Sequence, residues 1–389
     1  MKISRYAARI AVVCIATLVC AARIGWSDEM AHLEKRVEML EKKGGASPFA
    51  GVSVSGYLDA AYTNNFNNPP SRLNTARVFD TESNNFNLHA LELSMEKAAP
   101  ETGGVGFKAR MFWGADANLF SPAGKTGGEL DVTQAYVEAK PGALQGLSLK
   151  AGKFVTMTGA EVIESKDNWQ HSRGLLFGYA IPFSHLGARA TYAPNDKGSM
   201  TVGLVNGWDN NRDSNAVNGN KGKTFEGSLS VTPTKEINVA LTGLYGPEQA
   251  GNNRNQRYLM DLVGCWKFLE KFTLRANWDY GSEQRASGIA AGQNAVWSGV
   301  AGYARWEVNS RWAVSGRAER ISDLDGARIT VGTMQKITEW TATGEYKPWS
   351  DLITRLEYRQ DSSSKAIFAK GDRMSRLQNT VAAEWIYQF

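Results

Sequence analysis

The sequence has few cysteines and, beyond its first residues, no apolar run long enough to cross a membrane as a helix. Of three cysteines, Cys14 and Cys20 lie within residues 1–27, which leaves Cys265 alone in the rest of the chain. One cysteine excludes a disulfide framework within the chain. Beyond residue 27, no stretch approaches the ~20 apolar residues that a transmembrane helix needs. If the protein resides in a membrane, it must therefore cross it as a closed β-barrel, in which all backbone polar groups are paired.

Residue patterns that carry chemistry are also missing. Between residue 51 and the C-terminus, histidine occurs only as His89, His171 and His185. None of them stands at a recognisable motif spacing from a serine and an acid. No paired Cys/His metal motif or glycine-rich phosphate loop is found. We therefore expect no enzymatic activity, no catalytic residues, no metal site and no cofactor.

Residues 1–27 have the form of a secretory signal peptide. Lys2, Arg5 and Arg9 precede an apolar core that is too short to span a bilayer as a stable helix. Cleavage after Ala22 or after Ser27 would suit the small residues at its end. Loss of residues 1–27 removes four basic residues and no acid, so the formal net charge falls from +5 to +1. This balance gives no support to nucleic-acid binding.

Residues 28–50 change to a helical pattern followed by a linker. Met30, Leu33, Val37 and Leu40 stand at the a/d spacing of a short coiled coil. Two heptads are too short to be stable alone. We expect a short periplasmic helix that contributes to an oligomer or contacts the cell wall or a periplasmic partner through residues 28–43. A solvated spacer helix is the alternative.

From residue 51 to 389 the apolar period is two, which is typical of β-strands with two unlike faces. The clearest cases are 51–63 and 271–281, whereas 86–97 changes its apolar phase near Ala90. The pattern predicts an all-β, transmembrane antiparallel barrel of about sixteen strands, with 14 or 18 as alternatives. The predicted strands are 51–63, 86–97, 103–113, 131–140, 146–154, 185–194, 199–207, 224–233, 236–246, 257–267, 271–281, 294–306, 311–321, 335–346, 351–361 and 376–389.

The connections between these predicted strands alternate between short and long. Seven links of a few residues, such as 141–145, alternate with eight longer ones, such as 155–184. Outer-membrane barrels have short periplasmic turns and long external loops. A β-sandwich has no reason to sort its loops in this way. The alternation favours the barrel and places both termini on the periplasmic side.

The last predicted strand carries aromatic side chains on its apolar face. Trp385, Tyr387 and Phe389 stand at every second position up to the end of the sequence. Aromatic residues at the end of a lipid-facing strand form the interfacial girdle of a barrel. The terminal aromatic also resembles the signal by which the outer-membrane assembly machinery recognises its clients. We therefore predict that these three residues form a membrane-insertion signal.

Three stretches resemble a known family. They are residues 152–163, which begin with the run GKFVT, residues 172–192 with the run YAIPF, and residues 205–209, VNGWD. They are similar to motifs of the β-barrel porin family called OmpL-like or porin-2. The resemblance extends from Val52 to Phe389. It implies a porin barrel in the outer membrane of a Gram-negative cell, surrounded by outer-membrane lipid, and analogy with general porins implies a homotrimer.

Strand faces opposite the apolar ones must line the barrel interior, and they are rich in charge. Charges this frequent cannot lie unpaired in a packed core, and a sixteen-stranded barrel is wide enough for an aqueous channel. Besides Glu92, Glu96, Gln134, Glu226 and Glu384, these faces carry the predicted pore-lining set of Lys108, Arg110, Glu138, Arg189, Arg275, Asp279, Arg317, Glu319, Arg355, Glu357 and Arg359. The two signs are nearly balanced. We expect opposing rows of Arg and carboxylate that set a transverse field and give little ion selectivity, with wall salt bridges as the alternative.

The longest connection, residues 155–184, is the third external loop on this count. General porins fold their third loop into the channel, and this segment resembles that arrangement. Its predicted constriction residues are Glu161, Glu164, Lys166, Asp167, His171 and Arg173. The alternative is a loop that packs on a neighbouring subunit or covers the mouth.

The sequence as a whole predicts a porin that forms a water-filled channel for passive diffusion of small hydrophilic solutes and ions. The alternative is a non-conducting structural or partner-binding barrel, for example a sheath around a periplasmic electron-transfer partner. The identity of the solutes and the gating do not follow from the sequence.

Overall fold

A computed structural model describes residues 50–119, 130–210, 220–286, 292–329 and 332–389. The predicted signal peptide and the predicted helix that follows it lie outside these residues. Among the helices of the described segments, none is long and apolar enough to cross a membrane.

Sixteen antiparallel strands form a closed barrel, which confirms the predicted fold and strand number. Each strand pairs with its neighbours in the chain, and β1 pairs with β18 to close the sheet. The strands are β1 Ser53–Asn65, β2 Asn85–Lys97, β3 Gly104–Trp113, β4 Leu130–Lys140, β5 Leu147–Val155, β6 Ser184–Asn195, β7 Gly198–Val205, β8 Thr224–Thr234, β9 Ile237–Gly246, β10 Arg257–Leu269, β11 Phe272–Glu283, β12 Ala295–Glu307, β13 Trp312–Asp323, β14 Gln335–Trp349, β15 Leu352–Ser363 and β18 Leu377–Gln388.

Short elements occupy some of the long connections. A hairpin of β16 Phe368–Lys370 and β17 Arg373–Ser375 lies between β15 and β18 and stays outside the barrel sheet. Two 3₁₀ helices span Ala115–Leu119 and Ser165–Asp167, and one π-helical turn spans Leu176–Ala180. The sequence pattern predicted none of these elements.

The change of apolar phase near Ala90 corresponds to a β-bulge. Asp59 pairs with Ala90, whereas the next residue, Ala60, pairs with Leu88, so His89 is an extra residue in β2. An extra residue exchanges the two faces of a strand, because side chains alternate with a period of two. This explains the broken alternation in the sequence.

The two faces of the wall have different environments. Alternate residues are buried towards the lumen and exposed towards the outside, as in β15, where Arg355, Glu357 and Arg359 are buried and Leu356 is exposed. Aromatic pairs mark both ends of the outer surface. Trp312 stacks on Tyr346 at the short-turn end, with ring centroids 4.3 Å apart, and the Trp340–Tyr358 and Trp278–Tyr280 pairs lie towards the long-loop end. Such girdles are typical of barrels that cross a bilayer.

The end of the chain takes part in closing the barrel. Phe389 donates its backbone N–H to the carbonyl of Gly56 and accepts the N–H of Gly56, both at 3.0 Å. Its ring is 56% exposed on the outer surface and lies close to Tyr387. Phe389 thus contributes both the last hydrogen bonds of the β1–β18 seam and an aromatic side chain that faces lipid.

We expect removal of Phe389 to lower the yield of folded, membrane-inserted barrel several-fold, because the seam loses its last two backbone hydrogen bonds together with its terminal aromatic ring. The folded fraction is measured as the heat-modifiable band in cold electrophoresis of outer-membrane fractions. Phe268→Ala is the matched control, since Phe268 is an exposed aromatic of the same girdle that lies away from the seam. An equal loss in both variants would contradict a special role of the terminal residue.

Candidate functional site

The long connection between β5 and β6, residues 156–183, folds into the barrel lumen. This segment, called loop L3 below, is fixed at both of its ends. Near its start, Gly159 donates its N–H to Asp261 on β10 and Ala160 donates to Asn277 on β11, at 3.0 and 3.2 Å. At its end, Asp209 accepts the N–H of Phe183 and that of Ser184, at 2.6 and 2.8 Å. Burial raises the pKa of Asp209 to about 6.

Three buried arginines of the wall bind loop L3 through its backbone carbonyls. Arg317 on β13 donates to the carbonyl of Ser172 at 2.7 Å. Arg355 on β15 donates to the carbonyls of Ser165 and Asn168 at 3.0 and 2.7 Å. Arg359 donates to the carbonyl of Arg173 at 2.6 Å. A guanidinium group with five donors can bind a loop and a carboxylate at the same time.

Carboxylates of the same wall bind the backbone N–H groups of loop L3. Glu357 accepts the N–H of His171 at 2.7 Å and that of Ser172 at 3.0 Å. Glu319 accepts the N–H groups of Leu175 and Leu176. These carboxylates and arginines alternate along β13 and β15, so between residues 165 and 176 the loop backbone finds acceptors for its N–H groups and donors for its carbonyls. We refer to the inner faces of β13, β14, β15 and β18 as the tethering wall.

The charges of the tethering wall also neutralise each other. Glu339 on β14 accepts from Arg317 at 2.6 Å and lies 3.4 Å from Arg359. Arg355 lies 3.0 Å from Glu345 and 2.9 Å from Glu384. The two signs therefore lie side by side on neighbouring strands. The arginines and carboxylates of this wall thus form salt bridges with each other, and the transverse field across the lumen stays a prediction.

Pairing is required here because these side chains are buried. Arg317, Arg359 and Glu384 are almost completely shielded from solvent. Removing one partner of a buried ion pair costs about 3–5 kcal/mol, since it leaves an uncompensated charge at low dielectric. An intact buried pair is nevertheless weak evidence of net stabilisation, because removing both charges from water costs free energy that offsets their attraction. The ionic contacts thus specify where loop L3 lies more than they stabilise the barrel.

An apolar part of loop L3 forms a packed core inside the lumen. Leu175, Leu176, Phe177 and Ile181 are buried together with wall residues such as Ile321. Phe79, from the connection between β1 and β2, contacts both Phe177 and Phe183, with ring centroids 5.8 and 5.7 Å apart. Trp297 on β12 donates its indole N–H to the carbonyl of Ala180 at 3.1 Å. This core fills part of the lumen near the long-loop end.

The opposite side of the lumen remains accessible. Lys108, Glu138 and Lys150, on β3, β4 and β5, keep partly exposed side chains, at 18, 20 and 32% respectively. Lys108 pairs with Glu96 at 2.8 Å, and Lys150 lies 3.8 Å from Glu138. We refer to the inner faces of β3 to β8 as the open wall.

Arg189 and Glu226 form a further ion pair on the open wall, on β6 and β8. Two other predicted pore-lining residues contact loop L3 instead. Arg110 lies against Glu164 and Arg275 donates to the carbonyl of Ala160. Asp279 is buried beside Asp261, its cross-strand partner. Of the eleven predicted pore-lining residues, then, seven contact loop L3, Lys108 and Glu138 are partly exposed, and Arg189 and Asp279 are buried at other places on the wall.

The six predicted constriction residues also divide into buried and partly exposed side chains. Glu161 binds Arg317 at 2.6 Å and accepts the N–H of Gly174 at 2.6 Å. Glu164, His171 and Arg173 are likewise buried. Lys166 and Asp167 remain partly exposed, at 24 and 52%, and pair with each other at 2.7 Å. Only these two of the six present charge to accessible space.

His171 lies at the centre of a buried polar cluster. Its Nδ1 atom is hydrogen-bonded to Glu384 at 2.8 Å, and its ring packs edge-on against that of His89 at 5.2 Å between centroids. Burial by itself would lower the pKa of His171, but the carboxylates of Glu384 and Glu357 outweigh it and raise the pKa to about 9. The imidazole is therefore charged at neutral pH and holds loop L3 against β18. Within the segments that the structure describes, no group of three or more His, Cys, Asp or Glu side chains could hold a metal ion.

Residues 51–389 match the family described as "Putative beta-barrel porin-2, OmpL-like". The match covers the whole barrel. No match is found among curated proteins.

Several solved structures share the fold at low identity. The outer membrane channel DcaP of Acinetobacter baumannii is 11% identical, with a TM-score of 0.58 over 89% of this chain and 99% of that one. The anion-selective porin from Comamonas acidovorans is 10% identical, with a TM-score of 0.58 over 87% and 99%. OmpT of Vibrio cholerae in its trimer form is 11% identical, with a TM-score of 0.57 over 87% and 99%. At these identities the likeness establishes the fold.

We expect Arg317→Met to release loop L3 from the tethering wall, because Glu161 and Glu339 would lose their buried partner at a cost of about 3–5 kcal/mol. Hydrogen exchange of the amides between residues 160 and 176 should rise at least about tenfold. Arg305→Met is the matched control, since Arg305 pairs with Glu345 on the same side of the lumen and, among the described residues, forms no hydrogen bond or ion pair with loop L3. Unchanged exchange in Arg317→Met would contradict the tethering role.

The raised pKa of His171 predicts a pH dependence with a definite sign. A group whose pKa is higher in the folded than in the unfolded state stabilises the fold fully below its unfolded value, near 6.5, and loses that contribution as pH rises through about 9. The His171 resonance in a ¹H–¹⁵N spectrum should therefore titrate near pH 9, with His171→Gln used for its assignment. A midpoint below 7 would show that Glu384 does not hold the imidazolium in place.

Proposed function

The chain belongs to the beta-barrel porin-2, OmpL-like family, and from that premise we propose that it forms a water-filled channel across the outer membrane for passive diffusion of small hydrophilic solutes and ions. The observation that carries the proposal is the asymmetry of the lumen. Loop L3 is held mainly by the tethering wall and by β1, β10 and β11, with Arg110 as its contact on β3, while the open wall keeps partly exposed charged side chains. Partly exposed charge needs water, so the path runs between loop L3 and the open wall.

The chemistry of this path supports weak ion selectivity. Lys108, Lys150 and Arg189 each have a carboxylate partner on the open wall. Lys166 and Asp167 add one charge of each sign from loop L3. Paired charges provide hydrogen bonds to polar solutes while their fields largely cancel at a distance. Small polar molecules and ions of either sign then pass more readily than apolar ones.

Further parts of the proposal concern export and assembly. Residues 1–27 act as a cleaved signal peptide, and Trp385, Tyr387 and Phe389 serve as the insertion signal for the outer-membrane assembly machinery. The barrel forms a homotrimer, as OmpT does in its trimer form. Residues 28–43 form the helix that contacts the cell wall or a periplasmic partner. Family membership supports the outer membrane as the location.

A second candidate is a non-conducting structural or partner-binding barrel. The observation that favours it is the packed core of loop L3 near the long-loop end, since Leu175, Leu176 and Phe177 are fully buried inside the lumen. A barrel filled across its whole section would pass no current. The two candidates therefore differ in a directly measurable quantity.

We expect the detergent-purified, folded protein to produce discrete ohmic current steps in a planar bilayer under a salt gradient. Lys150→Glu should move the reversal potential towards cation selectivity, because it replaces a partly exposed positive charge beside Glu138 by a negative one. Lys235→Glu is the matched control, since Lys235 lies in the exposed turn between β8 and β9.

The outcomes separate the candidates. If the reversal potential shifted equally in Lys150→Glu and Lys235→Glu, the path would not run along the open wall, but the porin proposal would still stand. Absence of steps from protein that is shown to be folded and inserted would overturn the porin proposal and favour the non-conducting barrel.

A further inference from the structure

The long-loop end of the barrel carries exposed charge of almost one sign. Among the residues described at this end, the exposed basic ones are Arg72, Lys221, Lys223, Arg254, Arg285, Arg320, Lys336, Lys365, Lys370, Arg373 and Arg376, and the one exposed acid is Asp372. Like charges in proximity repel each other and raise the free energy of the folded barrel. An anionic partner at this end would remove that cost.

Four of these cations lie together on neighbouring strands, and we refer to Arg320, Lys336, Lys365 and Arg376 as the basic sector. Arg320 pairs with Thr338 across β13 and β14, and Lys336 lies two positions from Thr338 on the same face. Residues in this diagonal relation have their Cβ atoms within about 7–8 Å. Two long basic side chains at that separation can meet on one phosphate group.

Backbone hydrogen bonds bring the other two cations next to this pair. Ser364, the neighbour of Lys365, donates its N–H to the carbonyl of Lys336 at 2.9 Å. Ser363 donates to the carbonyl of Arg376 at 2.8 Å. In the described part of the chain, no carboxylate forms an ion pair with any member of the basic sector.

Arg320 and Lys336, the two members of the basic sector that lie on barrel strands, face the membrane and not the channel. Glu319 and Ile321 flank Arg320 along β13 and are buried in the lumen, as is Ile337 beside Lys336. Because side chains alternate along a strand, Arg320 and Lys336 project from the outer surface. A solute in the channel could not reach them.

Arg320 and Lys336 lie at the depth of the lipid head groups in the membrane. Trp340 and Tyr358 form an aromatic pair on the same outer surface, further from the long loops than Lys336 and Ser362. Next to this pair, Gln360 accepts from the indole N–H of Trp340 at 3.0 Å and donates to Asn379 at 2.8 Å. Aromatic girdles lie at the interface between acyl chains and head groups. The basic sector therefore lies level with charged head groups, beyond the acyl chains.

We propose that the basic sector binds the phosphate groups of a phosphorylated glycolipid of the outer leaflet, whose acyl chains lie along the outer surface of β13 to β15. Arg and Lys side chains bind phosphate by charge-assisted hydrogen bonds. Clusters of such residues at the membrane surface attract anionic lipids. The inference rests on the outer-membrane location and not on conduction through the lumen.

The test is native mass spectrometry of the full-length barrel titrated with hexa-acylated, bis-phosphorylated lipid A in detergent. The double variant Arg320→Gln/Lys336→Gln should bind it at least about tenfold more weakly than the unchanged protein. Lys221→Gln/Lys223→Gln is the matched control, because it removes the same charge from an exposed loop at the same end, and its affinity should change less than about twofold.

Three outcomes would overturn the proposal. They are equal affinity of the Arg320/Lys336 variant and the unchanged protein, equal losses in both double variants, and equal binding of lipid A from which both phosphates have been removed. Competition by millimolar inorganic phosphate distinguishes the source of the anion, since a site for free phosphate would be emptied and a lipid site would keep its ligand. Heat-modifiability checks that each variant is folded. The single-channel conductance of the Arg320/Lys336 variant should equal that of the unchanged protein, so a loss of lipid binding can be told apart from a loss of conduction.

Discussion

The attachment of loop L3 to the inner face of the barrel, chiefly to the tethering wall, is the constraint on which the interior depends. Arg317, Arg355 and Arg359 bind the carbonyls of the loop, while Glu319 and Glu357 bind its N–H groups. A loop without regular secondary structure has unpaired backbone groups, and these need partners wherever water is excluded. Alternating signs along β13 and β15 supply both kinds of partner. Because most of the loop contacts lie on the tethering wall and on β1, β10 and β11, charged side chains on β3 to β5 stay partly exposed.

The fold could be predicted from the sequence because its signals are local. Alternation with a period of two depends on a few consecutive residues, and the lengths of the links are read directly. Even the bulge at His89 appeared as a change of phase near Ala90. The inward direction of Arg355, Glu357 and Arg359 follows from the same alternation, since Leu356 must face lipid.

The use of the inward-facing charges could not be predicted, because it depends on pairing between distant residues. Glu161 and Lys166 lie five positions apart on the same loop, yet Glu161 is buried against Arg317 and Lys166 borders accessible space. Composition assigns both to a constriction. The role of the apolar stretch Leu175 to Phe177 could not be predicted for the same reason. In the sequence it is a short run inside a loop, and only its contacts with Phe79 and the wall make it a core.

The inward-facing charges divide into buried pairs that hold loop L3 and partly exposed ones, and this limits which residues can discriminate between solutes. A charge that is buried in an ion pair has little remaining field and cannot approach a passing ion. Most of the charged inner surface is used in this way, so in the channel that we propose, selection would rest on the side chains of the open wall and on Lys166 and Asp167. The pairs Lys108–Glu96, Lys150–Glu138 and Lys166–Asp167 also combine opposite signs, but they are partly exposed, and exposed pairs separate at little cost. On this proposal, replacing one such residue should change the field in the path without unfolding the barrel, whereas replacing Arg317 or Glu384 should alter the position of loop L3. The proposed channel thus divides selectivity and architecture between different members of one set of inward-facing charges.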